Sequence, residues 1–266
     1  YKRKLPTPDS QVPSYEIMGD EPYMLQRNLK DVPVIVGADR IRAVKLAIRD
    51  YGVDTVILDD GFQQWKIKKD LEIVVIDATV PFGNQYLLPR GILREPLSSL
   101  SRADVFVLTK TNLNPDIQDI KDFLSRINPA AHIFESIHSP IGFYKSDGDK
   151  ELVHTDRLKG RIVTLFSGIG DPDSFENLIT NLGINTGLAF RFPDHHDYSQ
   201  KDLENIVHQS QKKNIDTIIT TEKDAVRLSA LPASRCPLPV LVLRIELKIT
   251  KDEEKFQDRL LRVYSP

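Results

Sequence analysis

Two stretches of this chain put chemically active side chains where a fold can use them. Asp59-Asp60-Gly61-Phe62-Gln63 follows directly on the apolar run Thr55-Val56-Ile57-Leu58. Such a run after a helix-like segment predicts a buried parallel strand. Open α/β sheets bind their ligands at the C-terminal strand edge. Two adjacent carboxylates there are costly unless they meet a cation or a metal, and a Walker B strand holds Mg²⁺ beside nucleotide phosphates in this way. A strand-ending Asp that caps a turn accounts for the same residues equally well. The second stretch is Phe192-Pro193-Asp194-His195-His196-Asp197-Tyr198. Imidazoles flanked by carboxylates in a Pro-containing loop suggest proton transfer or metal binding. Zinc is disfavoured, because no further Cys/His pair has ligand spacing.

Other candidates are weaker alone. Gly19-Asp20-Glu21-Pro22 precedes a helix-like run, Tyr23 to Leu29, and ordinary N-capping explains it as well as a poised carboxylate does. The loop Asn84 to Pro96 carries Arg90 and Arg94, with Arg102 nearby, which suit a bidentate phosphate clamp or a solvated surface. Ser167-Gly168-Ile169-Gly170 opens a helix after a strand, but lacks the third glycine of a dinucleotide fingerprint. Thr109-Lys110-Thr111-Asn112 and Thr221-Glu222-Lys223-Asp224 each follow a strand and faintly echo the guanine-reading element of GTPases.

Those residues need elements to position them. Val32 to Val36 and Thr55 to Leu58 are predicted strands around a helix that starts after Asp39 and ends at Tyr51-Gly52, a βαβ unit with a parallel sheet. Leu71 to Ile76, Val105 to Leu108 and Ala131 to Phe134 are further strands, with a helix over Pro115 to Ile127. Residues 142–145 and 150–154 predict a hairpin around a polar turn. A second α/β set follows: strands at Arg161 to Phe166, Thr217 to Thr220 and Val240 to Ile245, with helices at Ser174 to Leu182, Gln200 to Lys212 and Lys251 to Val263.

The composition is that of an ordinary globular chain, 266 residues with 40% hydrophobic and 28% charged, enough for one large or two medium domains. A formal net charge of −2 argues against nucleic acid as the main partner. The single Cys236 excludes an intramolecular disulfide and fits the cytoplasm. No apolar stretch approaches a membrane span, which leaves peripheral membrane contact open.

Taken in order, these stretches resemble the tetraacyldisaccharide 4′-kinase family of lipid A biosynthesis. The matching pieces are Gly19 to Pro22, Val36 to Arg40, Ile57 to Gln63, Leu87 to Pro96, Phe166 to Pro172, Phe192 to Tyr198 and Thr220 to Leu228. The resemblance implies two α/β/α sandwich domains, the first like a P-loop NTPase with a mostly parallel sheet, joined by a β-ribbon. On that basis residues 1–140 form the kinase-like domain, 141–160 the linker and 161–266 the C-terminal domain. It implies ATP and Mg²⁺ as cofactors, an acylated disaccharide 1-phosphate as substrate, and a cytoplasmic enzyme peripheral on the inner membrane of a Gram-negative-type bacterium. By the same resemblance Asp20 is the base for the acceptor hydroxyl and His195 its partner from the other domain. Asp59 and Asp60 are the Mg²⁺ pair, and Tyr1, Glu21, Arg40, Gln63, Arg94 and Glu95 line the substrate and nucleotide cleft.

The sequence departs from the family pattern. Gln64 stands where the family usually has His after Asp-Asp-Gly-Phe-Gln, and Leu-Leu-Pro-Arg-Gly-Ile replaces Leu-Leu-Pro-Ala-Gly-Pro. No Gly-x-x-x-x-Gly-Lys-Ser/Thr occurs in the 266 residues. The family carries that P-loop ahead of the point where this sequence begins. The expectation is therefore a chain without its first strand, P-loop and any membrane-contacting helix, inactive alone. A P-loop GTPase-like protein and a non-catalytic binding module are the alternatives.

Overall fold

A computed structural model of the protein describes residues 15–114, 116–147, 151–228 and 236–264. The elements run α1 (Tyr15–Met18), α2 (Asp20–Asn28), α3 (Arg40–Tyr51), β1 (Ile73–Asp77), β2 (Val105–Thr109), α4 (Ile117–Ile127) and β3 (His132–Lys145). After these come β4 (Ile162–Ser167), α5 (Pro172–Asn181), β5 (Asn185–Arg191), α6 (Gln200–Lys212), β6 (Ile218–Thr221), α7 (Glu222–Leu228), β7 (Val240–Ile249) and α8 (Glu253–Leu261). The chain divides into two compact units, one of residues up to Val56 with Pro140–Ile245, the other of Ile57–Ser139 with residues from Glu246 on. The long strands β3 and β7 each pass from one unit into the other.

In the unit of Ile57–Ser139, β1 pairs with β2 and β2 with β3, both parallel. Every residue of β2 is buried, as a strand covered on both faces must be. Phe106 and Leu108 meet Ile120 and Leu124 of α4 on one face. Val105 and Val107 meet Phe134, Ile249 and Phe256 on the other. The alternation follows from the two-residue period of a strand.

In the other unit the order is β7-β6-β4-β5, again with parallel pairing. Val163, Leu165, Ile219, Leu241 and Leu243 face Phe175 and Ile179 of α5. Phe166, Ile218 and Val240 face Tyr198, Ile206 and Val207 on the α6 side. The chain leaves β4 toward β5 and returns through α6 to β6 on β4's other flank, so the β4/β6 boundary is a topological switch point.

The mixed α/β class with a mostly parallel sheet holds. Several local expectations do not. Val32 to Val36 and Thr55 to Leu58 are not strands. A strand exists through its ladder, and neither run has a hydrogen-bonded neighbour among the described residues. Ile57, expected in the core, is 92% exposed. The hairpin reduces to one antiparallel bridge, Phe143 to Val153, because residues 142–145 belong to the far end of β3; residues 148–150 of its turn lie outside the described residues. Strand β5 and helix α7 were not expected. No helix among the described residues is long and apolar enough to cross a membrane.

Candidate active site

The loops after β4 and β5 meet the β6–α7 junction at the switch point of this sheet, and α2 packs against α7 there. Gly19 precedes α2 with φ 94°, a left-handed conformation that favours glycine. The turn it makes places Asp20 in the first turn of the helix. Asp20 accepts from its neighbour's Glu21 N–H at 3.0 Å through Oδ1 and does not cap the helix. Its Oδ2 meets the Arg227 guanidinium and lies 3.1 Å from His195 Nδ1. Burial pushes the Asp20 carboxyl up, but Arg227, the Glu21 N–H and His195 outweigh it and hold the group below its ordinary value. Such a carboxylate is ready to take a proton, though a weak base while arginine covers it.

His195 sits in the loop between β5 and α6 with φ 61°. Its backbone N–H donates to Gly168 O at 3.1 Å. Gly168 ends β4's turn at close quarters: a Cβ there would stand 3.0 Å from Pro193 O and 3.1 Å from the Tyr198 hydroxyl. A side chain would push the His195 loop away. His196 is turned elsewhere, 3.2 Å from Asp202 Oδ2 and stacked on Phe192. Ser199 and Asp202 form a capping box at the start of α6.

Behind Asp20 lies a buried polar network. Asp224 is 0% exposed and accepts from Gly168 N at 2.9 Å, the Tyr198 hydroxyl at 2.9 Å and the Thr221 hydroxyl at 2.6 Å. Burial nevertheless raises its carboxyl, against those donors and Arg227. Burial and Asp224 also push the Tyr198 phenol up, so it stays a donor. Lys223 pairs with Glu21 at 2.7 Å. Arg227 and the role of Asp224 were missed in the sequence. Their signal was the i, i+3 pair in Asp224-Ala225-Val226-Arg227, on a helix directly after a strand.

The remaining predicted residues divide by unit. Arg40, in the first turn of α3, donates to Gly37 O. Asp59 and Asp60 form an exposed turn in the other unit, where Asp60 pairs with Arg94. Glu95 pairs with Arg102 at 2.8 Å, a residue whose guanidinium lies over Phe62, 4.3 Å from its centroid. Burial raises the Glu95 carboxyl, but Arg102 and hydrogen bonds from Ser99 and Trp65 bring it below its usual value. Gln63 is half-buried in the same turn region. Tyr1 lies outside the described residues. Asp20 and His195, expected on separate domains, fall in one compact unit.

Among the described residues no group of three or more His, Cys, Asp or Glu side chains is gathered for a metal. The exposed Asp59–Asp60 pair fits a hard cation that takes one or two carboxylates and completes its shell with water and phosphate oxygens, and does not fit a caged ion. Lys110, in the GTPase-like echo, follows β2 and pairs with Asp77 at the end of β1, 2.6 Å away.

Residues 1–265 match the family described as tetraacyldisaccharide-1-P 4′-kinase. The chain belongs to that family. A relative from Halothermothrix orenii named tetraacyldisaccharide 4′-kinase is 39% identical over 88% of this chain and 65% of its own length. A relative of the same name from Desulfatibacillum aliphaticivorans is 34% identical over 91% of this chain and 65% of its length. The chain thus spans about 65% of these family members. The crystal structure of LpxK from Aquifex aeolicus in complex with ATP superposes with a TM-score of 0.72 and 32% identity, covering 94% of this chain and 70% of that one.

Proposed function

We propose that this family member serves ATP-dependent phosphorylation of the 4′-hydroxyl of a tetraacyldisaccharide 1-phosphate in lipid A biosynthesis. The observation that carries the reading is the Asp20–His195 contact at the carboxyl ends of β4, β5 and β6 in a member of a kinase family. A sugar hydroxyl is a poor nucleophile, so a positioned proton acceptor assists it. Asp20, kept charged by Arg227 and the Glu21 N–H, supplies that acceptor. Glu21, Arg40, Gln63, Arg94 and Glu95 are proposed to line the substrate and nucleotide sites. Asp59 and Asp60 would hold Mg²⁺, which when bound neutralises charge on the transferred phosphoryl group. The protein would act in the cytoplasm, in peripheral contact with the inner membrane that contains its acylated substrate.

Membership in a kinase family favours this reading over a GTPase-like one, and Lys110 is already engaged by Asp77. The chain contains no P-loop motif, so the test uses a chimera of this chain with a P-loop segment from a relative. If Asp20 and His195 act as one unit, their losses do not multiply: the double Ala variant should turn over little more slowly than Asp20→Ala. Multiplying losses would separate the two and leave His195 a binding residue.

A further inference from the structure

The loop between β1 and β2 has a tip, residues 86–92, that turns apolar side chains outward. Leu88 is 62% and Ile92 61% exposed, and Tyr86 and Leu87 are exposed beside them. Looseness does not cause this, because the backbone is closed on itself. The N–H groups of Gln85, Leu88, Gly91 and Leu93 donate to Phe82 O, Leu93 O, Leu87 O and Tyr86 O at 2.9 to 3.2 Å. The Tyr86 N–H donates to Asn84 Oδ1 at 3.2 Å, and Asn84 Nδ2 donates to Arg90 O at 2.9 Å. Gly91 passes so close to the opposite limb that a Cβ there would stand 2.1 Å from Tyr86 O. Single exposed apolar residues are ordinary, but several adjacent ones held out on a fixed support mark an interaction surface. A loop whose N–H groups are satisfied internally also enters a medium poor in water at smaller cost than bare peptide groups do.

The charge of this loop has one sign. Residues 80–94 contain Arg90 and Arg94 and no Asp or Glu. Arg94 is paired with Asp60. Among the described residues Arg90 has no carboxylate within ion-pair range, and its guanidinium lies over the Tyr86 ring, 3.7 Å from the centroid. Arginine and tyrosine each join an apolar body to a polar end and settle where hydrocarbon meets headgroups. A second copy of the chain fits the tip poorly. Isologous pairing would set Arg90 against the partner's equivalent cation, and so few residues cover far less than the roughly 800 Å² per partner of a stable protein interface. We propose that residues 86–92 dock on an anionic phospholipid bilayer, with Leu88 and Ile92 entering the acyl boundary and Arg90 meeting headgroup phosphates. This names the surface behind the peripheral membrane contact of the kinase reading and rests on that reading for its purpose; the binding itself needs no turnover.

The test is cosedimentation of the 266-residue protein with phosphatidylcholine vesicles containing about 30% phosphatidylglycerol, with neither ATP nor an acylated disaccharide present. The wild type should bind these vesicles, and less so at about 0.5 M salt. Leu88→Asn combined with Ile92→Asn should lower the partition constant about tenfold or more, because both side chains lose their place in the acyl boundary. Arg90→Gln should lower it about fivefold on the anionic vesicles and leave binding to pure phosphatidylcholine unchanged. All three side chains are exposed, so the urea midpoint should stay at the wild-type value in both variants. Wild-type protein that remains in the supernatant overturns the inference, and so does a double variant that binds as wild type does. A dimer that the double variant abolishes, without vesicle binding by wild type, overturns it in favour of a second copy. No turnover enters this measurement, so its failure leaves the kinase reading standing, and failure of phosphate transfer leaves the vesicle result intact.

Discussion

The Tyr198 hydroxyl donates to Asp224 Oδ1 across 2.9 Å, joining the loop that carries His195 to the helix that carries Arg227. Tyr198 packs edge-on to Phe166 of β4, so the sheet itself holds this link in place. Removing the hydroxyl in Tyr198→Phe leaves Asp224 with its donors from Gly168 and Thr221. The expected loss is about 1–2 kcal/mol, read as a lower urea midpoint with the fold intact. An unchanged midpoint would mean that the hydroxyl and Asp224 are not joined in solution.

Acid should act on the half-buried Asp20 and the buried Asp224 in opposite directions. Asp20 is held below its ordinary value by Arg227 despite burial. Its contribution to stability is complete above the unfolded value of about 3.9 and fades as pH falls through the lower folded value. Asp224 is raised by burial. Its ionisation costs stability above the raised value, and that cost is relieved as pH falls toward the unfolded one. Urea unfolding of wild type and Asp20→Asn should therefore differ more near neutral pH than at pH below about 3. A gap that widens on acidification would contradict the Arg227–Asp20 pairing.

Much of this was legible in the residues. Buried parallel strands such as Val105 to Leu108 announce themselves as apolar runs, and the helix expected over Gln200 to Lys212 is α6. Asp20 stood out only through resemblance, because a Gly-Asp-Glu-Pro turn alone reads as a cap, whereas His195 stood out by its place among carboxylates in a Pro-containing loop. Strands at Val32 to Val36 and Thr55 to Leu58 were misread for a physical reason: apolar, β-branched composition gives the propensity, whereas pairing requires a neighbour that local sequence does not specify. Strand β5 was missed because Asn185-Thr186-Gly187 dilutes its pattern. Arg227 was missed because its i, i+3 spacing from Asp224 reads as an ordinary surface pair; its other partners come from α2, the β4 turn and the His195 loop.

Asp59 and Asp60 should separate in their effects. Asp60 pairs with Arg94 at the surface, with side chains 61% and 58% exposed, and such pairs contribute little to folding. Asp60→Asn should leave the urea midpoint within about 0.5 kcal/mol of wild type. In the P-loop chimera, Asp59→Ala should lose most turnover at ordinary Mg²⁺ with the fold intact. Undiminished turnover, with no increase in the Mg²⁺ required, would remove Asp59 from the metal site.

Phosphate transfer itself is the most direct test of the account. The chimera is given ATP and an acylated disaccharide 1-phosphate, and product phosphorylated at the 4′ position is measured beside Asp20→Asn. The chimera should give 4′-phosphorylated product, with a loss of about 10²-fold or more in Asp20→Asn. The unextended 266-residue chain, which lacks the phosphate-cradling motif, should form none. Equal product from Asp20→Asn, or phosphorylation at another hydroxyl, would contradict the assignment of Asp20 as the proton acceptor for the 4′ position.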